Sequence, residues 1–193
     1  LILTIPDQTT SAGISASLFS LKRVGYFKVY VNSGEMPPGI EKLRANMVWI
    51  EGNGTHGLEG PLPTEFWSLQ TRMFLLATMG PQFTGRLDSN LPMCNHLDYR
   101  LYLYRLPSFT GDVSALKACS KVEDTFEVFL NPKLGGNVWK AMLGWDGLAA
   151  NGSNGSINLW GSNFSGLIPD GSGSGDPWLQ WCRSRADSPN LKI

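Results

Sequence analysis

Hydrophobic and polar residues alternate along much of this chain with a period of two, which is the spacing of a β-strand that buries one face. Across residues 97–105, Leu101 and Leu103 alternate with Tyr102 and Tyr104, so the pattern predicts one apolar face and one polar or aromatic face. The same pattern and the β-branched and aromatic content predict strands at residues 1–5, 14–21, 24–31, 44–50, 66–79, 125–130, 138–143, 157–160 and 178–182.

Turn-forming residues separate nearly all of these segments, with Gly, Pro and Asn clustered at 51–57, 80–81 and 131–137. Helical spacing occurs mainly at residues 112–120, where Asp112 is the expected N-cap. Many short strands separated by turns predict an all-β fold, a compact antiparallel sandwich or barrel with long loops and at most one or two short helices. No long internal repeat is evident in the residue types.

Length and charge restrict the domain organisation and the partners. The 193 residues are expected to form a single domain, 1–193, and the chain starts without Met, which suggests a segment excised from a longer precursor. The 16 basic and 16 acidic residues balance, which argues against nucleic acid or membrane insertion and favours a protein or an uncharged glycan as partner. Cys94, Cys119 and Cys182 allow one disulfide at most, and three buried free thiols are expected.

The reactive residue types form no convincing catalytic or metal-binding group. On a strand, Cys94, His96 and Asp98 would share one face, but a nucleophile–base pair or a tetrahedral metal site needs further partners. The glycine-rich segment 170–176 starts like a calcium loop, yet Trp181 stands where the bidentate Glu is needed. We therefore expect no catalytic residue, no metal and no cofactor.

The segment 148–179 is rich in Gly, Ser and Asn and is interrupted by isolated aromatic residues, a composition typical of display loops. A Trp side chain in such a loop is well suited to contact a partner, because its ring is flat and apolar and carries an N–H donor. The candidate receptor- or glycan-contact residues are Trp160, Trp178, Asn163 and Asp146.

Four Asn-x-Ser/Thr sequons begin at Asn53, Asn151, Asn154 and Asn163. Gly follows Asn in three of them, so tight-turn chemistry is at least as good an interpretation as glycosylation.

The internal-fragment start at residues 1–10, the strand blocks 24–31 and 98–105 and the loop segment 150–163 together resemble a projecting spike domain of a non-enveloped virus capsid, most of all that of an avian astrovirus. The resemblance implies an all-β homodimeric spike on the virion surface. It also implies that the spike attaches to a protein or glycan receptor of the host cell without catalysis and is open to neutralising antibodies. Tyr102 and Tyr104, on the polar face of their strand, are the predicted dimer contacts.

Two other interpretations stay open. One is a carbohydrate-binding module or lectin-like domain of a secreted protein, with Trp160 or Trp178 stacked on a sugar. The other is a β-rich hydrolase that uses His96 or a pair of carboxylates.

Overall fold

The computed structural model describes residues 2–5, 13–22, 24–87, 90–138, 141, 156–159, 161–165 and 191–192. Within these ranges the strands are β1 (Ile2–Ile5), β2 (Val24–Tyr30), β3 (Ala45–Glu51), β4 (Gly60–Pro61), β5 (Met73–Ala77), β6 (Phe83–Leu87), β7 (Arg100–Tyr104), β8 (Phe109–Asp112), β9 (Thr125–Phe129), β10 (Leu134–Asn137), β11 (Ser156–Asn158), β12 (Asn163–Ser165) and β13 (Leu191–Lys192). Short 3-10 helices span Ala16–Ser20, Ile40–Lys42, Thr64–Ser68, Pro92–Asn95 and Val113–Cys119.

The strands form two sheets in which every described pairing is parallel. One sheet has eight strands in the order β1-β2-β3-β5-β7-β9-β11-β13, and the other has five in the order β12-β10-β8-β6-β4. From β3 onward the chain alternates between the two sheets, so one strand of each sheet, together with its connections, makes one coil. Such stacking of coils, each in contact with its neighbours, is the architecture of a solenoid.

The coils repeat at nearly constant length. Tyr26 pairs with Met47, Met47 with Met73, Met73 with Arg100, and Arg100 with Thr125, which are steps of 21, 26, 27 and 25 residues. The expectation of no long internal repeat was therefore wrong. The repeat conserves backbone position and the alternation of buried residues more than it conserves residue type.

The predicted antiparallel all-β sandwich or barrel was also wrong, because the sheets are parallel and α/β-like in connectivity. Alternating hydrophobicity identifies a half-buried strand but does not give its direction. The Gly- and Pro-rich segments were interpreted as turns between the strands of an antiparallel fold. Instead they lead the chain out of one sheet into the other, and the long return path lets successive strands run parallel.

The core lies between the two sheets and is built from one apolar pair in each coil. These pairs are Phe27 and Val29, Val48 and Ile50, Phe74 and Leu76, Leu101 and Leu103, and Phe126 and Val128, all of them buried. The 3-10 helices close the coils, and Phe66 of one helix packs edge-on against Phe74, with ring centroids 5.3 Å apart. Each pair is covered by the pairs of the neighbouring coils, so no coil buries its core alone.

Most predicted strands of the eight-stranded sheet are confirmed, although some boundaries and two elements differ. The strands β4, β6, β8, β10 and β12 of the other sheet were not predicted, and the predicted turn at 131–137 contains β10. Residues 14–21 form the 3-10 helix Ala16–Ser20 rather than a strand, and residues 66–79 divide into the end of one helix and β5. The predicted helix at 112–120 is present as a 3-10 helix, and its Asp112 cap accepts a 2.8 Å hydrogen bond from the Ser114 amide. The predicted strand at 178–182 and most of 138–143 lie outside the described residues.

A disulfide between Cys94 and Cys119 joins the 3-10 helices of two successive coils, which contradicts the expectation of three free thiols. Both residues are buried, and they are 25 positions apart in the chain. Cys182 lies outside the described residues. Alternation and composition could not identify this pair, because the two cysteines meet only when one coil stacks on the next.

We expect the Cys94→Ala/Cys119→Ala variant to lose about 3 kcal/mol of unfolding free energy, because the cross-link restricts the unfolded chain. Urea unfolding with and without a reductant measures the loss, and the reductant should destabilise the parent protein but not the variant. Thiol titration in denaturant should find at most one thiol before reduction and three after it. Three thiols without reduction would contradict the disulfide.

Asn131 connects three successive coils through hydrogen bonds of its side chain and backbone. The residue is fully buried, its Nδ2 donates to the Leu103 carbonyl at 2.8 Å, and its Oδ1 accepts from the Leu106 amide at 3.0 Å. Its own backbone N–H donates to Ser162 Oγ in the next coil at 3.1 Å. Asn131 thus provides hydrogen-bond partners for buried backbone groups at the end of β7 that the strand ladder does not pair.

Asn131→Ala is expected to reduce the unfolding free energy by about 2–3 kcal/mol, because it leaves a buried amide and a buried carbonyl without partners. Chemical denaturation checks this value. The matched control is Asn95→Ala on an exposed position, for which a change within about 0.5 kcal/mol is expected. An Asn131→Ala effect as small as that of the control would show that the hydrogen bonds of Asn131 contribute nothing to stability.

Candidate binding face on the eight-stranded sheet

The side chains of the eight-stranded sheet that point away from the core form what we call the outer face. Parallel register aligns them in rows across β2, β3, β5, β7 and β9. The first row is Tyr26, Met47, Met73, Arg100 and Thr125; the second is Lys28, Trp49, Leu75, Tyr102 and Glu127; the third is Tyr30, Glu51, Ala77, Tyr104 and Phe129.

Strand β5 forms a low line across the outer face. Its outward residues Met73, Leu75 and Ala77 do not belong to the core cluster, yet Leu75 is only 3% exposed and Ala77 is 0% exposed. Taller side chains on β3 and β7 cover them. The outer face therefore has an apolar trough along β5. Two ridges flank it, one on β3 with Trp49 and one on β7 with Tyr102 and Tyr104.

Glu51 connects the two ridges by hydrogen bonds. Trp49 Nε1 donates to its Oε2 at 2.8 Å, and the hydroxyl groups of Thr78 and Tyr104 donate to its Oε1 at 3.2 and 3.4 Å. Glu51 and Tyr104 lie two strands apart, and the small side chain of Ala77 between them leaves room for the contact. These bonds hold Trp49 and Tyr104 in fixed positions.

Ring contacts further order the aromatic side chains of the outer face. The Lys28 ammonium lies 3.9 Å from the Trp49 ring centroid and 4.9 Å from that of Tyr30. The rings of Tyr104 and Phe129 stack with centroids 5.1 Å apart. A surface ordered in this way loses little side-chain entropy when a partner binds.

A cleft of about 260 Å³ opens where the first row meets the amino-terminal ends of the strands. Its walls include Tyr26, which is 47% exposed, and Tyr99, which is 40% exposed, and its lining also contains Met47 and Met73. These two tyrosines are the exposed large hydrophobic side chains among the described residues. The cleft thus offers an apolar surface to solvent.

Two ion pairs support the walls of the cleft. Arg72 Nε contacts Asp98 Oδ1 at 2.8 Å, and Arg100 Nε contacts Asp124 Oδ2 at 2.6 Å. The Arg100 guanidinium also lies 4.7 Å from the centroid of the Tyr99 ring. Each Arg therefore pairs with an Asp of the following coil, and the second pair orients Tyr99.

A wider and more polar depression of about 540 Å³ adjoins the cleft. The two share Asn46 and Arg72, and the depression is also lined by Arg44 and His96. This end of the strands therefore combines an apolar cleft with a rim of Arg and amide groups.

The structure describes three of the sequence-predicted contact residues. Tyr102 and Tyr104 share the outer face, whereas Asn163 is exposed at the start of β12 in the five-stranded sheet. Trp160, Trp178 and Asp146 lie outside the described residues. The dimer role of Tyr102 and Tyr104 stays a prediction.

The possible Cys94, His96 and Asp98 cluster does not assemble. Cys94 is buried in the disulfide, His96 is exposed beside the polar depression, and Asp98 pairs with Arg72. These residues belong to a 3-10 helix and the turn after it rather than to a strand, so they do not share a face. Elsewhere in the described ranges, no group of three His, Cys, Asp or Glu side chains is arranged to hold a metal ion.

Sequence reasoning missed the cleft residues Tyr26, Met47, Met73 and Tyr99. A weak signal was present, because Phe-Thr-Gly occurs at residues 83–85 and again at 109–111, 26 positions later. A period of this length indicates stacked repeats, in which residues one repeat apart become neighbours.

No protein-family model matches the sequence, and no curated protein is significantly similar to it. Within the described part of the chain, no helix is long and apolar enough to cross a membrane.

Burial raises the pKa of Tyr102 and that of Tyr104 above the usual tyrosine value, and the negative charge of Glu51 adds to the rise at Tyr104. The folded chain therefore retains these phenolic protons to higher pH than the unfolded chain does. Their contribution to stability is complete below about pH 10 and is lost as the pH rises through the folded-state pKa values.

We expect Tyr102→Phe and Tyr104→Phe each to remove one phenol of raised pKa from an alkaline titration followed by phenolate absorbance. Glu51→Gln should lower the pKa of Tyr104, because it removes the nearby negative charge, and should leave that of Tyr102 unchanged. A Glu51→Gln protein with an unchanged Tyr104 pKa would contradict the contact between these two side chains.

Proposed function

We propose that this chain is a non-catalytic binding domain that recognises a protein partner with its outer face, using the cleft between Tyr26 and Tyr99 as the anchor point. The observation that carries the proposal is the cleft itself: two exposed tyrosines stand beside two methionines on an otherwise ordered surface. Aromatic side chains exposed around an apolar cleft are a common feature of binding sites.

The architecture supports a binding role. Stacked coils present a broad continuous surface, and solenoid proteins use such surfaces for recognition. Each coil of about 25 residues contributes one strand to each of two parallel sheets, which is the layout of a β-solenoid.

The side chains favour a protein over a sugar. Tyr, Met and Arg are enriched at the centres of protein interfaces, and these types dominate the first row and the cleft. Met adapts its shape to a partner's side chain. The rings of Trp49, Tyr99 and Tyr104 each have a neighbour already stacked on them, which leaves less ring surface for a sugar.

The charged groups near the cleft hold other side chains in position. Asp98 and Asp124 each hold an arginine of the preceding coil, and Arg100 orients a wall of the cleft. These contacts suit a preformed binding surface, which supports a role without catalysis.

The disulfide also supports attachment outside the cell, because such bonds persist in oxidising compartments. Viral origin, a host-cell receptor and homodimer formation remain predictions from sequence. They are compatible with an outer face that binds proteins, since a second copy of the chain or a receptor could occupy it.

The proposal predicts that a photo-crosslinking amino acid at position 26 captures a discrete protein from the surface of intact cells. The same amino acid at Glu65, which is exposed in the helix Thr64–Ser68, should not capture it. With the captured protein purified, Tyr26→Ala and Tyr99→Ala should each weaken binding at least tenfold, as expected for aromatic anchors. Surface plasmon resonance measures these affinities.

The matched control is Thr84→Ala, an exposed position of the five-stranded sheet, which should leave the affinity unchanged. Capture of a second copy of the chain would identify the outer face as a homodimer interface. Glycan binding that both tyrosine variants abolish would instead support the carbohydrate-binding interpretation. Unchanged affinity in both variants would overturn the proposed site.

A further inference from the structure

We propose that Asn53 is an N-glycosylation site and that its glycan covers the rim of the outer face opposite the cleft. Asn53, Gly54 and Thr55 form a sequon in the loop between β3 and β4, and all three residues are exposed. The acceptor must also be chemically accessible, and the geometry of this loop meets that requirement.

Hydrogen bonds to its amide oxygen hold the side chain of Asn53 in place. Its Oδ1 accepts hydrogen bonds from the Thr55 amide at 3.1 Å, the Thr55 hydroxyl at 3.0 Å and the His56 amide at 2.7 Å. The amide nitrogen Nδ2, the atom that receives a glycan, makes a long 3.5 Å contact with Asn32. A glycan on Nδ2 would leave the three bonds to Oδ1 in place.

The hydrogen bonds to Asn53 Oδ1 are local in sequence. They join residues two or three positions apart, and Gly54 has a φ of 91°, which glycine adopts without strain. These bonds can form in a chain that has not yet folded, whereas the bond from the Gly54 amide to the Thr78 carbonyl forms only in the folded chain. The sequon at Asn163 differs, because it lies in β12 and its Ser165 hydroxyl donates to the Gly136 carbonyl of the paired strand.

The disulfide provides an independent second observation. A buried Cys94–Cys119 bond indicates passage through an oxidising compartment, and the secretory pathway provides both disulfide formation and N-glycosylation. The two interpretations of the Asn53 sequon, turn chemistry and glycosylation, are compatible, because the turn and the glycan use different atoms of the same side chain.

The reaction requires a lipid-diphosphate-linked oligosaccharide and its transferase. Asn53 Nδ2 forms a bond to the anomeric carbon of the sugar while the bond from that carbon to the diphosphate oxygen breaks. The lipid diphosphate leaves with the electron pair, and the amide releases one proton. No atom is oxidised or reduced.

The position of Asn53 determines what the glycan would cover. Asn53 follows the carboxyl end of β3, whereas Met47 of the cleft lies near its amino end. At about 3.3 Å per strand residue the two are on the order of 20 Å apart. The glycan would therefore shield the carboxyl-end rim and leave the cleft open.

The test is to express the full chain behind a cleavable secretion signal in eukaryotic cells and to map glycopeptides by mass spectrometry. We expect most molecules to carry a glycan at Asn53. Asn53→Gln and Thr55→Ala should abolish that glycan, and the conservative Thr55→Ser should retain it. Peptide mapping separates this site from Asn151, Asn154 and Asn163.

Folding of the glycosylated protein is the second measurement. Its thermal midpoint should match that of enzymatically deglycosylated protein within a few degrees, because the glycan stands on an exposed loop. An unmodified Asn53 in protein that carries glycans at the other sequons would overturn the proposal. A glycosylated form that is retained or aggregated while Asn53→Gln is secreted would also overturn it.

Discussion

The structure depends on the stacking of one coil on the next. Each coil contributes a single apolar pair, such as Phe74 and Leu76, and that pair is buried only because the pairs before and after it lie in the same register. The parallel ladder makes this register, since its hydrogen bonds fix each strand relative to its neighbour. Stability is therefore a property of neighbouring coils rather than of any one of them.

The contacts that reinforce the fold follow the same rule. The disulfide, the hydrogen bonds of Asn131 and the Arg–Asp pairs all join residues 24 to 31 positions apart, which is about one coil. Each contact acts on the interface between two coils. A cross-link or a buried hydrogen bond at that point opposes the sliding or opening of the stack, which is how a solenoid begins to unfold.

The outer face is a consequence of the same stacking. Because the parallel ladder sets the register, the outward residues of each strand align into rows on the side of the sheet opposite the inner pairs. The trough forms because the small or flexible side chains of β5 lie between larger ones on β3 and β7. The hydrogen bond between Tyr104 and Glu51 crosses the trough and closes part of it. The cleft at Tyr26 and Tyr99 lies at the amino ends of the strands, where the rows of side chains end. Its position opposite the Asn53 loop separates the proposed binding region from the proposed glycan.

The sequence by itself determined most strands of the eight-stranded sheet and the inward residues Leu101 and Leu103 of β7, because alternation is a local property of one strand. It did not predict the five-stranded sheet, because the short Gly-containing strands of that sheet were interpreted as turns or connections. It also indicated the Asp112 cap, which depends on neighbouring residues. Strand direction, the Cys94–Cys119 bond and the cleft were decided by the tertiary structure. Tyr26 and Tyr99 come from coils that are separated by two others, and only the register across that distance places them on one cleft.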